Sequence, residues 1–128
     1  MTKTQVMYKG KLITLEQLIA ILKKEFAKHI GEENSITIPE ILKKHFEDYE
    51  DWSVWKKYTY IDILKKGISI VRRQGDCFII NKSGNYFVIK TQDEADYYKN
   101  ILTKDIVGMK KSIKKADEWV EEKKWKKL

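Results

Sequence analysis

The chain has 128 residues, room for one compact domain with an appendage and too few for two ordinary domains. Its 26 Lys and Arg against 19 Asp and Glu give a formal net charge of +7. That balance favours polyanionic partners, because lysines near phosphates release condensed counterions, although a solubilising lysine surface gives the same number. A hydrophobic fraction of 42% with 12% aromatics excludes a disordered chain, and a single cysteine excludes an intramolecular disulfide.

Residues 1–10 are polar and lack the apolar core of a signal peptide, and no apolar run is long enough to span a bilayer. A soluble, cytoplasmic protein is the expectation. From Thr14, the residues Leu15, Leu18, Ile19, Leu22 and Phe26 recur at helical spacing, with Lys23, Lys24, Glu25 and Lys28 on the other side. Thr14 and Gln17 have capping-box spacing, and Gly31 suits a helix stop. A short β-prone stretch, Ser35 to Ile38, leads into a second helix. Thr37 and Glu40 repeat the capping box there, and Pro39 suits a first turn.

The acids Glu47, Asp48, Glu50 and Asp51 precede a third helix, expected over 54–66 and ending at Gly67, with Asp51 or Ser53 as its cap. Its front end is aromatic, with Trp52, Trp55 and Tyr58. After Gly67 the composition turns β-branched and aromatic, which predicts extended chain over 68–72, 77–81 and 86–90. Residues 72–76 read as a polar turn, and Asn81-Lys82-Ser83-Gly84-Asn85 as a hairpin turn. From Asp93 the pattern is helical to the end, with a break expected near Gly108.

Three short helices followed by a hairpin predict an α+β, mostly helical chain. The expectation is a winged helix-turn-helix over 1–92 and a long helical extension over 93–128. In that layout the third helix enters the major groove and the wing reaches neighbouring phosphate. Ser53, Lys56, Lys57, Thr59 and Tyr60 are then candidate donors to DNA, with Arg72 and Arg73 for phosphate. Lys82, Ser83 and Asn85 would stand at the wing tip. An ordinary solvated face and an ordinary hairpin would use the same residue types.

The run Gly67-Ile68-Ser69-Ile70, then Gly84-Asn85-Tyr86-Phe87-Val88-Ile89-Lys90-Thr91 and the acidic helix start Asp93-Glu94, resembles the small winged-helix DNA-binding proteins of bacteriophages. In these a Gly-aromatic-Pro-Ile strand precedes a glycine-aromatic strand and a basic C-terminal coil. The resemblance covers roughly 15–128. Ile68-Ser69 stands in place of the aromatic-proline pair, and 72–76 reads as an insertion. The resemblance implies DNA binding and a phage or mobile-element origin.

Catalytic readings find little. His29, His45 and Cys77 lack the tight ligand spacing of structural zinc, and Cys77 reads as a small core residue. Asp48, Asp51, Asp62 and Asp76 could gather magnesium, but no carboxylate pair with a following Glu-x-Lys accompanies them. Glycine phosphate loops and serine elbows are also missing. No enzyme activity, metal or cofactor is expected.

In the tail, Tyr98, Leu102, Ile106, Met109, Ile113, Ala116 and Val120 mark a coiled-coil seam, which would make a homodimer or pack back onto the first helix. Trp119 and Trp125 among lysines resemble an interfacial membrane helix, but Asp117, Glu118, Glu121 and Glu122 oppose anionic lipid, so no membrane is expected. The leading expectation is a transcriptional regulator or replication accessory binding double-stranded DNA. Its rival is a module that binds a host protein or defence system through Trp52, Trp55 and Tyr58. RNA binding ranks third, because no strand platform of stacked aromatics is evident.

Overall fold

The ten residues 5–14 form a β-hairpin. In the computed structural model, which describes residues 5–75 and 77–123, β1 (Gln5–Tyr8) pairs antiparallel with β2 (Lys11–Thr14). Val6 lies opposite Ile13, and both are buried. Lys9 and Gly10 turn the chain with positive φ, 50° and 78°, the sign that a type I′ turn requires at both central residues. The alternation of Val6 and Tyr8 before Lys9-Gly10 was the available signal for this hairpin, but the polar composition of 1–10 hides it.

Helix α1 (Leu15–Phe26) follows β2 directly, and the Thr14–Gln17 capping box forms in both directions. The helix ends at Phe26, short of Gly31. Gly31 instead takes a φ of 87° ahead of a 3-10 turn at Glu32–Asn34. Helix α2 (Ile38–His45) carries the second capping box, Thr37 with Glu40, and has Pro39 in its first turn. Between α1 and α2, Ile36 exchanges both backbone hydrogen bonds with Tyr86, and His29 and Gly31 bond Val88 on either side of Ile30.

The largest departure from the sequence reading is α3 (Val54–Gln74), which continues straight through Gly67. Residues 68–72 are helical, not extended. Leu64, Ile68 and Val71 are spaced i, i+4, i+7 and all are buried, so the β-branched Ile68 and Val71 serve a helix face. The stop comes at Gly75, a left-handed C-cap with φ 81°. Arg72 and Arg73 therefore occupy the last turn of α3, not a turn or insertion. Asp76, the last residue of that expected turn, lies outside the described residues, as does Trp125.

Strands β3 (Ile79–Lys82) and β4 (Asn85–Val88) form the second antiparallel hairpin, two residues shorter per strand at its open end than composition suggests and one residue longer per strand at its turn. Ser83 and Gly84 make its turn with φ of 54° and 88°, and Asn81 Oδ1 accepts a bond from the Gly84 N–H. Ile79 and Tyr86 join the core shared with α1, α2 and α3, while Ile80 and Phe87 pair on the other face and are also buried. The chain divides into two compact units, Met1–Thr91 and Gln92–Leu128. The second holds α4 (Gln92–Lys123), which runs unbroken past Gly108. The architecture is α+β and mostly helical.

Two contacts hold the helices of the first unit. A Cβ built on Gly67 would stand 2.7 Å from Leu22 Cδ1, so only glycine lets α3 approach α1 this closely. The second contact is the Glu25 side chain on α1, which is 2% exposed. It accepts bonds from His29 Nε2 (2.7 Å), Lys44 Nζ (2.9 Å) and His45 Nε2 (2.8 Å), which ties α1 to the end of α2. Tyr8 OH reaches His45 Nδ1 at 3.1 Å, and His29 Nδ1 donates to the Asn34 carbonyl. Burial alone would push the Glu25 carboxyl up, but the bonds from Lys44, His29 and His45 and the Lys44 charge bring it down to about 2.

Gly67→Ala is expected to lower stability in a denaturant melt. A glycine-to-alanine change gains about 1 kcal/mol in an open helix, but the overpacking against buried Leu22 costs about 1–3 kcal/mol. Because the folded pKa of Glu25 lies below its ordinary 4.5, its contribution is full above that pH and fades as pH falls from 4.5 through about 2. Glu25→Ala, which strands Lys44 and both histidines, is expected to cost about 3–5 kcal/mol at neutral pH. It should also flatten the acid limb of the stability profile, measured as denaturant midpoint against pH.

Candidate nucleic-acid interface

The candidate surface is built on the first half of α3, where Ser53 caps the helix by accepting from the Lys56 N–H. A 3-10 turn at Tyr49–Asp51 precedes it and delivers Trp52 into the core. Trp52 packs on Tyr60 with ring centroids 4.6 Å apart, and on Phe46 at 5.1 Å and Tyr49 at 5.5 Å. Tyr60 is thus half-buried and its hydroxyl accepts from the Met7 N–H, so it does not stand on the outer face of α3. The aromatic trio read from the sequence divides. Trp52 is a core residue, while Trp55 (82% exposed) and Tyr58 (59%) project outward beside Val54.

The two lysines at the front of α3 lie back over this cluster. Lys56 Nζ sits 4.5 Å from the Trp52 ring centroid, and Lys57 Nζ sits 4.8 Å from that of Tyr49. Such contacts contribute roughly 0.5–1 kcal/mol at exposed sites, less than a phosphate in reach offers a charged donor. Thr59 is exposed, with its hydroxyl donating to the Trp55 carbonyl. Farther along the same helix Asp62, Lys65, Lys66 and Arg73 are exposed.

The other expected contacts are partly engaged inside the protein. Arg72 Nε donates to the Ile79 carbonyl at 2.7 Å, which fastens the end of α3 to β3. Lys82 Nζ pairs with Glu32 at 3.1 Å and Lys90 Nζ with Glu33 at 3.0 Å, so the hairpin and the Glu32–Asn34 turn exchange charge. Ser83 and Asn85 are exposed at the hairpin tip. The structure thus gathers Lys56, Lys57 and Thr59 near one helix front and Lys82, Ser83 and Asn85 at one hairpin tip. Tyr60 and Arg72 have inward roles.

A cleft of about 550 Å³ opens between the β1–β2 turn, the end of α2 and the start of α3. Lys9, Lys44 and Lys56 line it together with Glu47 and Asp48, so its charge is mixed. Trp52 lies in its wall, and the indole N–H of Trp52 is buried with no partner among the described residues. The sequence reading missed this cleft, because Lys9 enters it through the unread first hairpin. Among the described residues, no group of three or more His, Cys, Asp or Glu side chains is placed to hold a metal ion. His29 and His45 both serve Glu25, and Cys77 is half-buried against the core. No described helix is long and apolar enough to cross a membrane.

No known protein family, curated protein or solved structure matches this chain.

Truncating the two tryptophans should separate packing from display. Trp52→Ala is expected to cost about 3–5 kcal/mol in a chemical melt. Trp55→Ala should shift the same melt by no more than about 0.5 kcal/mol.

Proposed function

We propose that this chain is a winged-helix protein that binds double-stranded DNA, with the first half of α3 as its reading helix and the β3–β4 hairpin as its wing. The observation that carries this reading is the pairing of Ile36 with Tyr86. It adds a short extended segment between α1 and α2 to the edge of the hairpin, giving the order helix, strand, helix, helix, hairpin. That is the order in which a helix-turn-helix acquires a wing. The net charge of +7 and the exposed Lys65, Lys66 and Arg73 on α3 suit a phosphate backbone. Lys56 and Lys57 leave their aromatic rings for phosphate when DNA arrives, and Thr59, Ser83 and Asn85 supply uncharged donors. The resemblance to phage winged-helix proteins makes a phage or mobile-element transcriptional regulator or replication accessory the biological setting.

A second reading has one specific observation behind it. Val54, Trp55 and Tyr58 form an exposed apolar patch on the front of α3, and tryptophan and tyrosine dominate protein interfaces. Under that reading the same helix front docks on a host protein, without Trp52.

Purified protein should bind random-sequence duplex DNA with an affinity that falls steeply as salt rises, and selection from the bound pool should converge on a motif. Lys56→Ala with Lys57→Ala should weaken that binding and reduce the salt slope by roughly two, one per lost phosphate contact. Unchanged affinity and slope would remove the α3 front from the interface. No binding at low salt, together with a salt-insensitive protein partner lost in Trp55→Ala, would favour the second reading.

A further inference from the structure

Helix α4 displays a heptad seam. Leu102, Ile106, Met109, Ile113, Ala116 and Val120 are spaced four, three, four, three and four residues apart, which places Ile106, Ile113 and Val120 at a positions and Leu102, Met109 and Ala116 at d. At 1.5 Å per residue the 32-residue helix is about 48 Å long. Every residue from 99 to 122 is exposed, with Met109 and Ile113 each at 63%. An apolar stripe of that length and regularity calls for an occupant.

We propose that the occupant is a second copy of this chain, and that two α4 helices form a parallel, in-register coiled coil. The composition of the seam selects the number of strands. β-Branched residues fill all three a positions and leucine stands at the first d, the choice that favours two strands over three or four. Charge complementarity selects the direction. In the parallel pair Asp105 at g faces Lys110 at e of the other copy, and symmetry makes this bond twice. Ser112 meets Asp117 and Tyr98 meets Thr103, so no like charges oppose each other between 98 and 117. An antiparallel pair with the same overlap sets Lys110 against Lys110 and leaves Asp105 opposite Trp119.

The remaining positions fit. Lys104, Lys111, Lys114, Lys115, Glu118 and Glu121 fall at b, c and f, on the outside of the pair. Ile101 and Val107 depart from the pattern, at c and b. Lys99 falls at the a position before Leu102 and closes the apolar seam at that end. The proposal stands whether or not the chain binds DNA. If it does, the coil couples two reading helices and requires a two-fold site.

The test uses the full chain. Light scattering and sedimentation should give twice the 15.3 kDa chain mass, and Ile106→Asp with Ile113→Asp should return it to one chain. Met109→Cys in a Cys77→Ser background should form an intermolecular disulfide on mild oxidation, because a d residue faces its own copy only in the parallel register. Lys111→Cys, at f, should not. A single-chain mass for the wild type at tens of micromolar overturns the proposal, and so does a mass of three or four chains. A dimer in which Lys111→Cys links as readily as Met109→Cys, or in which Met109→Cys fails to link, overturns the parallel pairing.

Discussion

At Gly67 the longest helix of the first unit presents bare backbone to the Leu22 side chain of α1, and much of the unit's architecture depends on that approach. Leu22 fills the space a Cβ would take. Leu64, Ile68 and Val71 bury on the same side of α3, and Phe26 completes the packing from α1. Because α3 remains helical through this contact, it delivers Arg72 to the Ile79 carbonyl and sets where β3 begins. A helix ending at Gly67 would have left the hairpin without that anchor.

Polar interactions complete what the close packing begins. Glu25 is a buried carboxylate answered by one lysine and two histidines, so a group that is costly to bury becomes a clasp between α1 and α2. His45 passes the connection on to Tyr8, which brings the first hairpin under the same network. The two histidines thereby have a structural role that accounts for their presence without invoking a metal. A carboxylate at i with a histidine at i+4 is an ordinary helix-surface spacing, which is why the sequence offers no sign that Glu25 is buried.

The proposed interface is shaped by what the aromatic cluster withholds. Trp52 and Tyr60 pack inward, with Lys56 lying over the Trp52 ring and Lys57 over that of Tyr49. The result is a helix front whose most exposed side chains are Trp55 and Tyr58, with cations close by. Such a front serves a groove or a protein surface, and the charge of the chain weighs toward the groove. Beside the β3–β4 hairpin, Glu32 pairs with Lys82 and Glu33 with Lys90, while the hairpin tip leaves Ser83 and Asn85 exposed.

Local chemistry was legible in the sequence wherever it depends on residues a few positions apart. Both capping boxes, the Ser83-Gly84 turn, the second helix and the long amphipathic α4 follow from spacing and turn residues alone. The extent of α3 was not legible, because Ile68, Ile70 and Val71 suit a strand as well as a buried helix face, and Gly67 reads as a stop until α1 is seen beside it. The first hairpin was hidden by its polar composition, and the inward placement of Trp52, Tyr60 and Arg72 depends on neighbours far along the chain. Sequence by itself determined which segments are helical or extended where periodicity and caps agree. Tertiary structure alone decided where α3 stops, which aromatic rings are core and which cations are already engaged, because burial is set by partners that spacing along one chain does not encode.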